Sequence, residues 1–240
     1  MSDINEAMIF AAGFGKRMRP LTKEVPKPLL KVNGKPIIFY IIEDLINLNF
    51  KNIVINTHYL SDKFYDELKP YARTVKIIFE EEILDTGGGI MNLINHSTQN
   101  NFLVFNPDTF WSNKYLEEIQ NMEKFYFANK LKDILLVVEK SKSFDQRMNG
   151  DFSLQNNILT KLPHKNFIFT GCQILNKSIF ENHKIETFSI NNIWEEMILK
   201  KQAIDRYLFQ NVNHLTKVFK NICMKIVLKL VKFSIKILKT

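Results

Sequence analysis

Residues 8–35 decide the fold, and they read Met-Ile-Phe-Ala-Ala-Gly-Phe-Gly-Lys-Arg-Met-Arg-Pro-Leu-Thr-Lys-Glu-Val-Pro-Lys-Pro-Leu-Leu-Lys-Val-Asn-Gly-Lys. The apolar run 8–12 predicts a short buried strand, and a Gly-Phe-Gly turn follows it directly. Glycines let the backbone turn tightly and come close to a ligand. Many cationic side chains come next, opposed only by Glu24. This pattern is typical of a polyphosphate site, where backbone N–H groups hold the oxygens and cations offset their charge.

The established phosphate-loop patterns do not fit this stretch. It contains no G-x-x-x-x-G-K-[ST] sequence, and Met18 stands where G-x-G-x-x-G needs its third glycine. From these residues alone, a solvated basic turn is the alternative interpretation.

Strands and helices alternate along the rest of the chain. Strands are predicted at 51–56, 74–80, 101–106 and 133–139, and helices at 37–48, 61–68, 86–94, 113–124 and 188–201. This alternation predicts an α/β fold, a mostly parallel sheet with helices on both faces. Short β segments at about 140–175 predict a small β-rich subregion that lies over the strand ends.

A longer pattern extends the Gly-Phe-Gly turn. Ala11-Ala12-Gly13-x-Gly15-x-Arg17-Met18-x-Pro20-Leu21-Thr22, followed by Pro26-Lys27-Pro28, resembles the opening motif of the sugar-1-phosphate nucleotidyltransferases. The resemblance covers about residues 7–200. It implies the Rossmann-like fold of nucleotide-diphospho-sugar transferases, a nucleoside triphosphate and a sugar 1-phosphate as partners, and Mg²⁺ as cofactor.

The same resemblance implies roles for residues of the nucleotide side. Arg17 would neutralise charge on the triphosphate, Lys27 would hold the α-phosphate or the attacking phosphate, and Asp108 would carry Mg²⁺. The implied nucleotide-binding residues are Ala11, Ala12, Gly13, Gly15, Lys16, Thr86, Gly87 and Gly88. Gly87 and Gly88 are expected to flank the base.

Ligands of open α/β sheets bind at the carboxyl ends of the strands. Three polar residues lie at or just after the ends of predicted strands: Asn56, His58 and Asn106. The β-rich subregion contains three further candidates: Gly150, Thr170 and Gly171. The family resemblance implies that all six lie on the sugar side of the site. Ordinary structural roles are the alternative, a structural histidine for His58 and β turns for the last three.

The expected metal site departs from the family pattern in two places. Pro107 replaces the glycine that usually precedes the aspartate corresponding to Asp108. The second metal-binding aspartate is missing, and His214 stands nearest to its position, although a neutral imidazole suits Mg²⁺ poorly.

The segment Leu-Asp-Thr-Gly-Gly-Gly-Ile at 84–90 resembles the N-acetylmuramate α-1-phosphate uridylyltransferase branch. The resulting hypothesis is transfer of UMP to N-acetylmuramate 1-phosphate. The alternatives are a mannose-1-phosphate guanylyltransferase, a phosphocholine cytidylyltransferase-like enzyme, and an impaired homologue that only binds nucleotide.

The basic residues from Arg206 onward account for the whole net charge of +8. We therefore predict a nucleotidyltransferase domain over 1–216, with no nucleic-acid partner, and a basic amphipathic helix over 217–240. That helix is expected to dock on the body or on a twin subunit, contact with an anionic membrane surface being the alternative. The sequence shows no signal-peptide pattern and only two cysteines, so a cytoplasmic location is expected. The expected oligomeric state is a monomer or a homodimer.

Overall fold

The computed structural model describes residues 4–107, 113–143, 149–156, 158–200 and 205–208. Predictions for Asp108, His214 and the helix at 217–240 lie outside these residues. The described strands are β1 (Glu6–Phe10), β2 (Lys31–Val32), β3 (Lys35–Pro36), β4 (Asn52–Thr57), β5 (Val75–Phe79), β6 (Asn101–Phe105), β7 (Asp133–Glu139), β8 (Ser153–Gln155), β9 (Ile158–Thr160), β10 (Phe167–Asn176) and β11 (Asp205–Leu208). The α-helices are α1 (Ile37–Asn47), α2 (Ser61–Glu67), α3 (Asp85–Asn95), α4 (Asn113–Ala128) and α5 (Ile190–Leu199).

Seven of these strands form one sheet in the order β11-β7-β10-β6-β1-β4-β5. β1 lies near its centre, parallel to β4 on one side and to β6 on the other. β10 pairs antiparallel with β6 and with β7, whereas the other described pairs of this sheet are parallel. The predicted α/β fold with a mostly parallel sheet is therefore confirmed.

The predicted β-rich subregion needs a correction. Residues 165–175 were expected over the strand ends, but from Phe167 onward they lie in β10, inside the central sheet. Phe105 faces Cys172 and Val137 faces Phe169 across the two ladders, so β10 fills the gap between β6 and β7. The short hairpin of β8 and β9 forms a separate two-stranded sheet.

Both faces of the sheet are covered, because apolar side chains alternate along the buried strands. In β1, Ala7 and Ile9 belong to one buried cluster and Met8 to the other. The first cluster includes residues of α1, α2 and α4, and the second includes residues of α3 and α5. Since consecutive strand residues point to opposite faces, a buried central strand needs this apolar run.

A connecting segment, residues 186–190, fastens the start of α3 to the start of α5. Phe188 donates its N–H to the carbonyl of Leu84 and accepts hydrogen bonds from the N–H groups of Gly87 and Gly88, at 2.9 and 3.1 Å. The N–H of Ile190 donates to the hydroxyl of Thr86 at 2.9 Å. We call residues 186–190 the strap.

The strap leaves no room for a side chain at Gly88, because a Cβ there would lie 2.0 Å from the backbone oxygen of Glu186. We expect Gly88→Ala to lower the free energy of unfolding by about 1–3 kcal/mol, the usual cost of overpacking. Urea unfolding of Gly13→Ala provides the control, since a Cβ at Gly13 would meet nothing within 4 Å. Equal stability of the two variants would contradict the tight fit of the strap.

Candidate active site

The loop after β1 begins two residues earlier than the sequence predicted, because the strand ends at Phe10. Ala11 and Ala12 are buried, and Gly13 is exposed. The loop forms one wall of a cleft of about 350 Å³ at the carboxyl end of the sheet. The cleft brings together most of the predicted nucleotide-side residues with two of the predicted sugar-side residues: Ala11, Ala12, Gly13, Gly15, Arg17, Lys27, Thr86, Asn56 and Asn106.

The two glycines of the loop serve different purposes. Gly15 has a φ of +61°, and a Cβ there would lie 3.0 Å from the Cγ2 atom of Thr22. The Thr22 hydroxyl donates to the Gly15 carbonyl at 2.9 Å, which fixes the turn. Gly13 faces open space instead. The fold therefore requires Gly15, while Gly13 leaves backbone accessible to a ligand.

Three cationic side chains, Lys16, Arg17 and Lys27, lie at one end of this cleft, which we call the cationic mouth. Arg17 and Lys27 line it, and both also line an adjoining cleft of about 390 Å³ together with Lys16. The Lys16 ammonium lies 5.1 Å from the centre of the Phe14 ring, a distance at which a cation interacts favourably with an aromatic face. Three positive groups around an exposed glycine turn suit a polyphosphate.

Asn56 lines the cleft, but its amide also holds the protein together. It is 2% exposed, accepts a hydrogen bond from the N–H of Ala11 at 2.8 Å and donates one to a carboxylate oxygen of Glu80 at 2.8 Å. The other oxygen of Glu80 accepts from the N–H of Leu84 at 3.3 Å. Burial raises the pKa of Glu80, although the hydrogen bonds from Asn56 and Leu84 oppose the shift. We call this chain of contacts the Asn56–Glu80 clamp.

His58, expected near the sugar, lies outside the residues that line the cleft. Its Nδ1 atom is hydrogen-bonded to the backbone carbonyl of Glu80 at 2.9 Å. Its ring meets Phe14 edge-on at 5.6 Å and stacks on Phe79 at 6.3 Å. These contacts support the structural interpretation of this histidine.

The surroundings of the glycines at the start of α3 also differ from the prediction that they flank the base. Gly87 and Gly88 do not line the cleft, because their N–H groups and the space beside them are taken by the strap. A Cβ at Gly87 would lie 2.3 Å from the ring of Phe188. Their neighbours Asp85 and Thr86 line the cleft instead.

A second cleft of about 230 Å³ continues from the first. Phe10, Asp85, Thr86 and Asn106 line both clefts. The second is completed by residues of β6, β10 and α5 and of the segments before β8 and α5: Val104, Asp151, Phe169, Gly171, Gln173, Ser189, Ile190, Asn191 and Trp194.

Of the predicted sugar-side residues, Gly171 and Asn106 lie in the second cleft. Gly171 has a φ of +83°, and a Cβ there would lie 2.9 Å from the Cβ of Asn106. The Asn106 N–H donates to the Gly171 carbonyl at 2.8 Å. This positive φ coincides with the register shift of β10 between Phe169 and Gln173, which re-aims the strand beside the cleft.

Thr170 and Gly150 lie outside the lining of either cleft. The Thr170 hydroxyl donates to the carbonyl of Leu136 at 2.9 Å and accepts from the Tyr115 hydroxyl at 2.7 Å. A Cβ at Gly150 would lie 2.0 Å from the backbone oxygen of Lys165. Both residues therefore support β10 and its neighbouring loops, contrary to their predicted contact with the sugar.

Several lining residues were missed by the sequence analysis, chiefly Glu80, Gln173 and Trp194. Glu80 directly follows β5, so its place at a strand end was a usable signal. Gln173 and Trp194 carried no such signal, because their position depends on β10 entering the central sheet.

The metal ligand predicted at Asp108 and the alternative at His214 lie outside the described residues. Among the described residues, no group of three histidine, cysteine or acidic side chains could hold a metal ion. None of the described helices has the length and apolar character that a membrane span requires.

Residues 6–144 match the sequence profile of the family described as Nucleotidyl transferase. The chain belongs to this family. The resemblance to the sugar-1-phosphate nucleotidyltransferases is thereby confirmed, and the protein is an enzyme of this kind.

Two nucleotidyltransferases are similar to the chain in sequence, and one solved structure is similar to it in fold. The D-glycero-α-D-manno-heptose 1-phosphate guanylyltransferase of Aneurinibacillus thermoaerophilus is 26% identical over 85% of this chain and 87% of its own length. The N-acetylmuramate α-1-phosphate uridylyltransferase of Neisseria meningitidis is 38% identical over 62% of this chain and 64% of its own length. The inositol-1-phosphate CTP transferase of T. maritima superposes with a TM-score of 0.71 at 16% identity, covering 88% of both chains, which shows the shared fold.

The Asn56–Glu80 clamp makes a specific stability prediction. Asn56→Asp keeps the acceptor for Ala11 but sets two buried carboxylates side by side, so we expect a loss of about 2–3 kcal/mol at pH 8. Repulsion between the two carboxylates raises their pKa values in the folded state. The loss of stability should therefore shrink as the pH falls towards 5, because the pair then takes up a proton.

The double variant Asn56→Asp/Glu80→Gln provides the matched control, because it restores a donor opposite the new carboxylate. Its urea unfolding at pH 8 should recover most of the lost stability. A double variant that is no more stable than Asn56→Asp would refute the proposed contact.

Proposed function

We propose that this nucleotidyltransferase transfers UMP from UTP to N-acetylmuramate 1-phosphate and releases pyrophosphate. The observation that carries the general reaction is the pair of connected clefts, one with a glycine turn and a cationic mouth, the other enclosed by aromatic and polar side chains. A nucleoside triphosphate fits the first cleft, and a sugar 1-phosphate fits the second.

In this reaction, an oxygen of the sugar phosphate attacks the α-phosphorus in line, and pyrophosphate leaves. The attacking phosphate is already ionised, so the protein needs no general base and acts by positioning and charge stabilisation. Gly13 gives the phosphates access to the backbone, while Arg17 and Lys16 offset the charge of the leaving pyrophosphate. Lys27 lines both the main cleft and the cationic mouth, which suits contact with the α-phosphate or the attacking phosphate.

The base of the nucleotide would lie at the opposite end of the first cleft. Glu80, Ile83, Asp85 and Thr86 line this end, and the Asn56–Glu80 clamp holds it against the loop after β1. The similar proteins differ in the nucleobase of the nucleotide that they transfer: two relatives are a guanylyl- and a uridylyltransferase, and the solved structure of the same fold is a CTP transferase. UTP is supported by the uridylyltransferase of Neisseria meningitidis, which is 38% identical over 157 residues.

We also propose Mg²⁺ as the cofactor, with Asp108 as its protein ligand. Magnesium binds through one or two carboxylates and takes its remaining ligands from water and substrate phosphates, so it does not need a cluster of three protein ligands. Pro107 lines the first cleft, and Asp108 follows it directly in the chain. When bound, the ion would neutralise charge that develops on the phosphates.

The cytoplasm is the proposed location. It is supported by the buried Cys172, which is a free thiol, as expected in a reducing compartment.

The decisive test is a substrate panel. Pyrophosphate release would be measured with UTP, GTP, CTP and ATP, each against the 1-phosphates of N-acetylmuramate, mannose and glucose, with Mg²⁺ and after chelation by EDTA. We expect the highest kcat/KM for UTP with N-acetylmuramate 1-phosphate, and no turnover with EDTA. A higher value for GTP with mannose 1-phosphate would favour the guanylyltransferase alternative, and thermal stabilisation by a nucleotide without pyrophosphate release would indicate an impaired homologue.

The cationic mouth can be tested by substitution. Arg17→Ala and Lys27→Ala should each lower kcat by about 10²–10³, as the removal of preorganised charge stabilisation does in other enzymes. Lys51→Ala is the matched control, because Lys51 is exposed and precedes β4 at the opposite end of the sheet. Near wild-type pyrophosphate release by either cleft variant would refute its assigned role.

A further inference from the structure

The glycine turn after β1 carries a phenylalanine at its tip. Phe14 is partly buried between Gly13 and Gly15, whereas Gly13 and the following Lys16 are exposed. Both glycines line the first cleft, but Phe14 lies outside the lining of this cleft and of the adjoining cleft that contains Lys16. A phenyl ring also has no group that donates a hydrogen bond to a phosphate. Its contribution to a phosphate site is therefore indirect.

The ring of Phe14 packs against the segment that follows β4. It meets the His58 ring edge-on, with ring centres 5.6 Å apart, and the Tyr59 ring at 5.5 Å and an angle of 60°. His58 also stacks on Phe79, with ring centres 6.3 Å apart. Edge-on ring pairs attract each other beyond the effect of burying their surface. We call Phe14, His58, Tyr59 and Phe79 the aromatic cluster.

The two rings that Phe14 contacts are themselves held by hydrogen bonds. The Nδ1 atom of His58 is hydrogen-bonded to the carbonyl of Glu80 at 2.9 Å, which ties the cluster to the end of β5. The hydroxyl of Tyr59 donates to the carbonyl of Lys23 at 2.8 Å, which ties it to a later part of the loop after β1. The Phe14 ring is therefore held by side chains whose own positions are fixed.

This support reaches the part of the loop that lies between two other fixed points. At one end, the N–H of Ala11 donates to Asn56, and at the other the Thr22 hydroxyl donates to the Gly15 carbonyl. Gly13 lies between them, and glycine has more conformational freedom than any other residue. A backbone that is already ordered before a ligand arrives avoids the entropic cost of ordering during binding. Phe14 supplies that order next to Gly13.

The same ring also positions a cation. The Lys16 ammonium lies 5.1 Å from the centre of the Phe14 ring, within the range of a favourable cation–aromatic contact. Lys16 lines the adjoining cleft together with Arg17 and Lys27. An exposed lysine loses rotamer freedom when it binds an anion. Contact with the ring reduces that loss, because it keeps the ammonium at the cationic mouth.

We propose that Phe14 is a positioning residue for polyphosphate binding. Held by the aromatic cluster, its ring keeps the backbone at Gly13 and the ammonium of Lys16 in place for the triphosphate of the substrate and for the pyrophosphate that leaves. Phe14 acts through these two residues and not by contact with the ligand. This inference rests on the proposed function, because it assigns the glycine turn to the phosphates.

The test compares three ligands that differ in their phosphates: inorganic pyrophosphate, UTP and UMP. Calorimetric titration of the full-length protein with Mg²⁺ measures their binding to the wild type and to Phe14→Leu, which keeps an apolar side chain but loses the ring contacts. We expect pyrophosphate and UTP to bind about tenfold more weakly to the variant, whereas the affinity for UMP stays unchanged. Unchanged affinity for pyrophosphate, or an equal loss for UTP and UMP, would overturn the inference.

A second variant leaves both the loop and the clefts intact. Tyr59→Leu removes one ring contact of Phe14 and the hydrogen bond to Lys23, and we expect it to weaken pyrophosphate binding about threefold or more. Phe125→Leu is the matched control, because Phe125 is 43% exposed on α4 and lies outside the lining of the clefts. If both cluster variants bind pyrophosphate as tightly as this control, the assignment is refuted.

A double-mutant cycle tests whether Phe14 acts through Lys16. Lys16→Ala should weaken pyrophosphate binding less in the Phe14→Leu background than in the wild type, because the ammonium is no longer held in place there. Equal losses in the two backgrounds would contradict the link between the two residues.

The melting temperature of the unliganded protein separates this role from a structural one. A lower melting temperature of Phe14→Leu with unchanged pyrophosphate affinity would indicate a ring that serves only the fold. The two proposals also fail differently. Weakened pyrophosphate binding by Phe14→Leu, together with a wild type that turns over no sugar 1-phosphate, would refute the transfer reaction alone. Turnover by the wild type, together with unchanged pyrophosphate affinity of both cluster variants, would refute the role of Phe14 alone.

Discussion

The amide of Asn56 is the contact on which the geometry of the first cleft depends. It joins the loop after β1, the end of β4 and the residue after β5, because one side chain accepts from Ala11 and donates to Glu80. Glu80 then reaches the backbone of Leu84, just before α3. Parallel strands bring their carboxyl ends to one edge of the sheet, but they do not fix the loops that follow them. The Asn56–Glu80 clamp holds these loops in place. Few residues can replace Asn56, because its short side chain both accepts and donates a hydrogen bond.

The strap extends this connection to the second cleft. Its backbone pairs with the segment before α3, and the Thr86 hydroxyl accepts from the first N–H of α5. Thr86 and Asp85 line both clefts, and the same short segment carries Ser189 and Ile190 into the second. The wall of the first cleft at Asp85 and Thr86 and the helix that carries Trp194 are therefore one hydrogen-bonded unit.

The sequence predicted the α/β architecture and most of the residues around the glycine turn that line the first cleft, because both depend on local patterns. The apolar run of β1 and the glycine turn with its cations act within a few residues of each other. The second cleft could not be predicted in the same way. It depends on β10, whose antiparallel insertion between β6 and β7 is a long-range pairing that no local period encodes. His58, Thr170 and Gly150 were assigned to the sugar by resemblance to the family, although their polar groups or their tight packing serve the fold.

Glycine shows most clearly why a motif does not fix a role. Gly13 and Gly15 belong to the loop after β1, and Gly87 and Gly88 belong to the first turn of α3. A Cβ would be free at Gly13, strained at Gly15 and obstructed at Gly87 and Gly88. Only the first of these leaves backbone open to a ligand, and the distinction depends on Thr22 and the strap, which lie elsewhere in the chain.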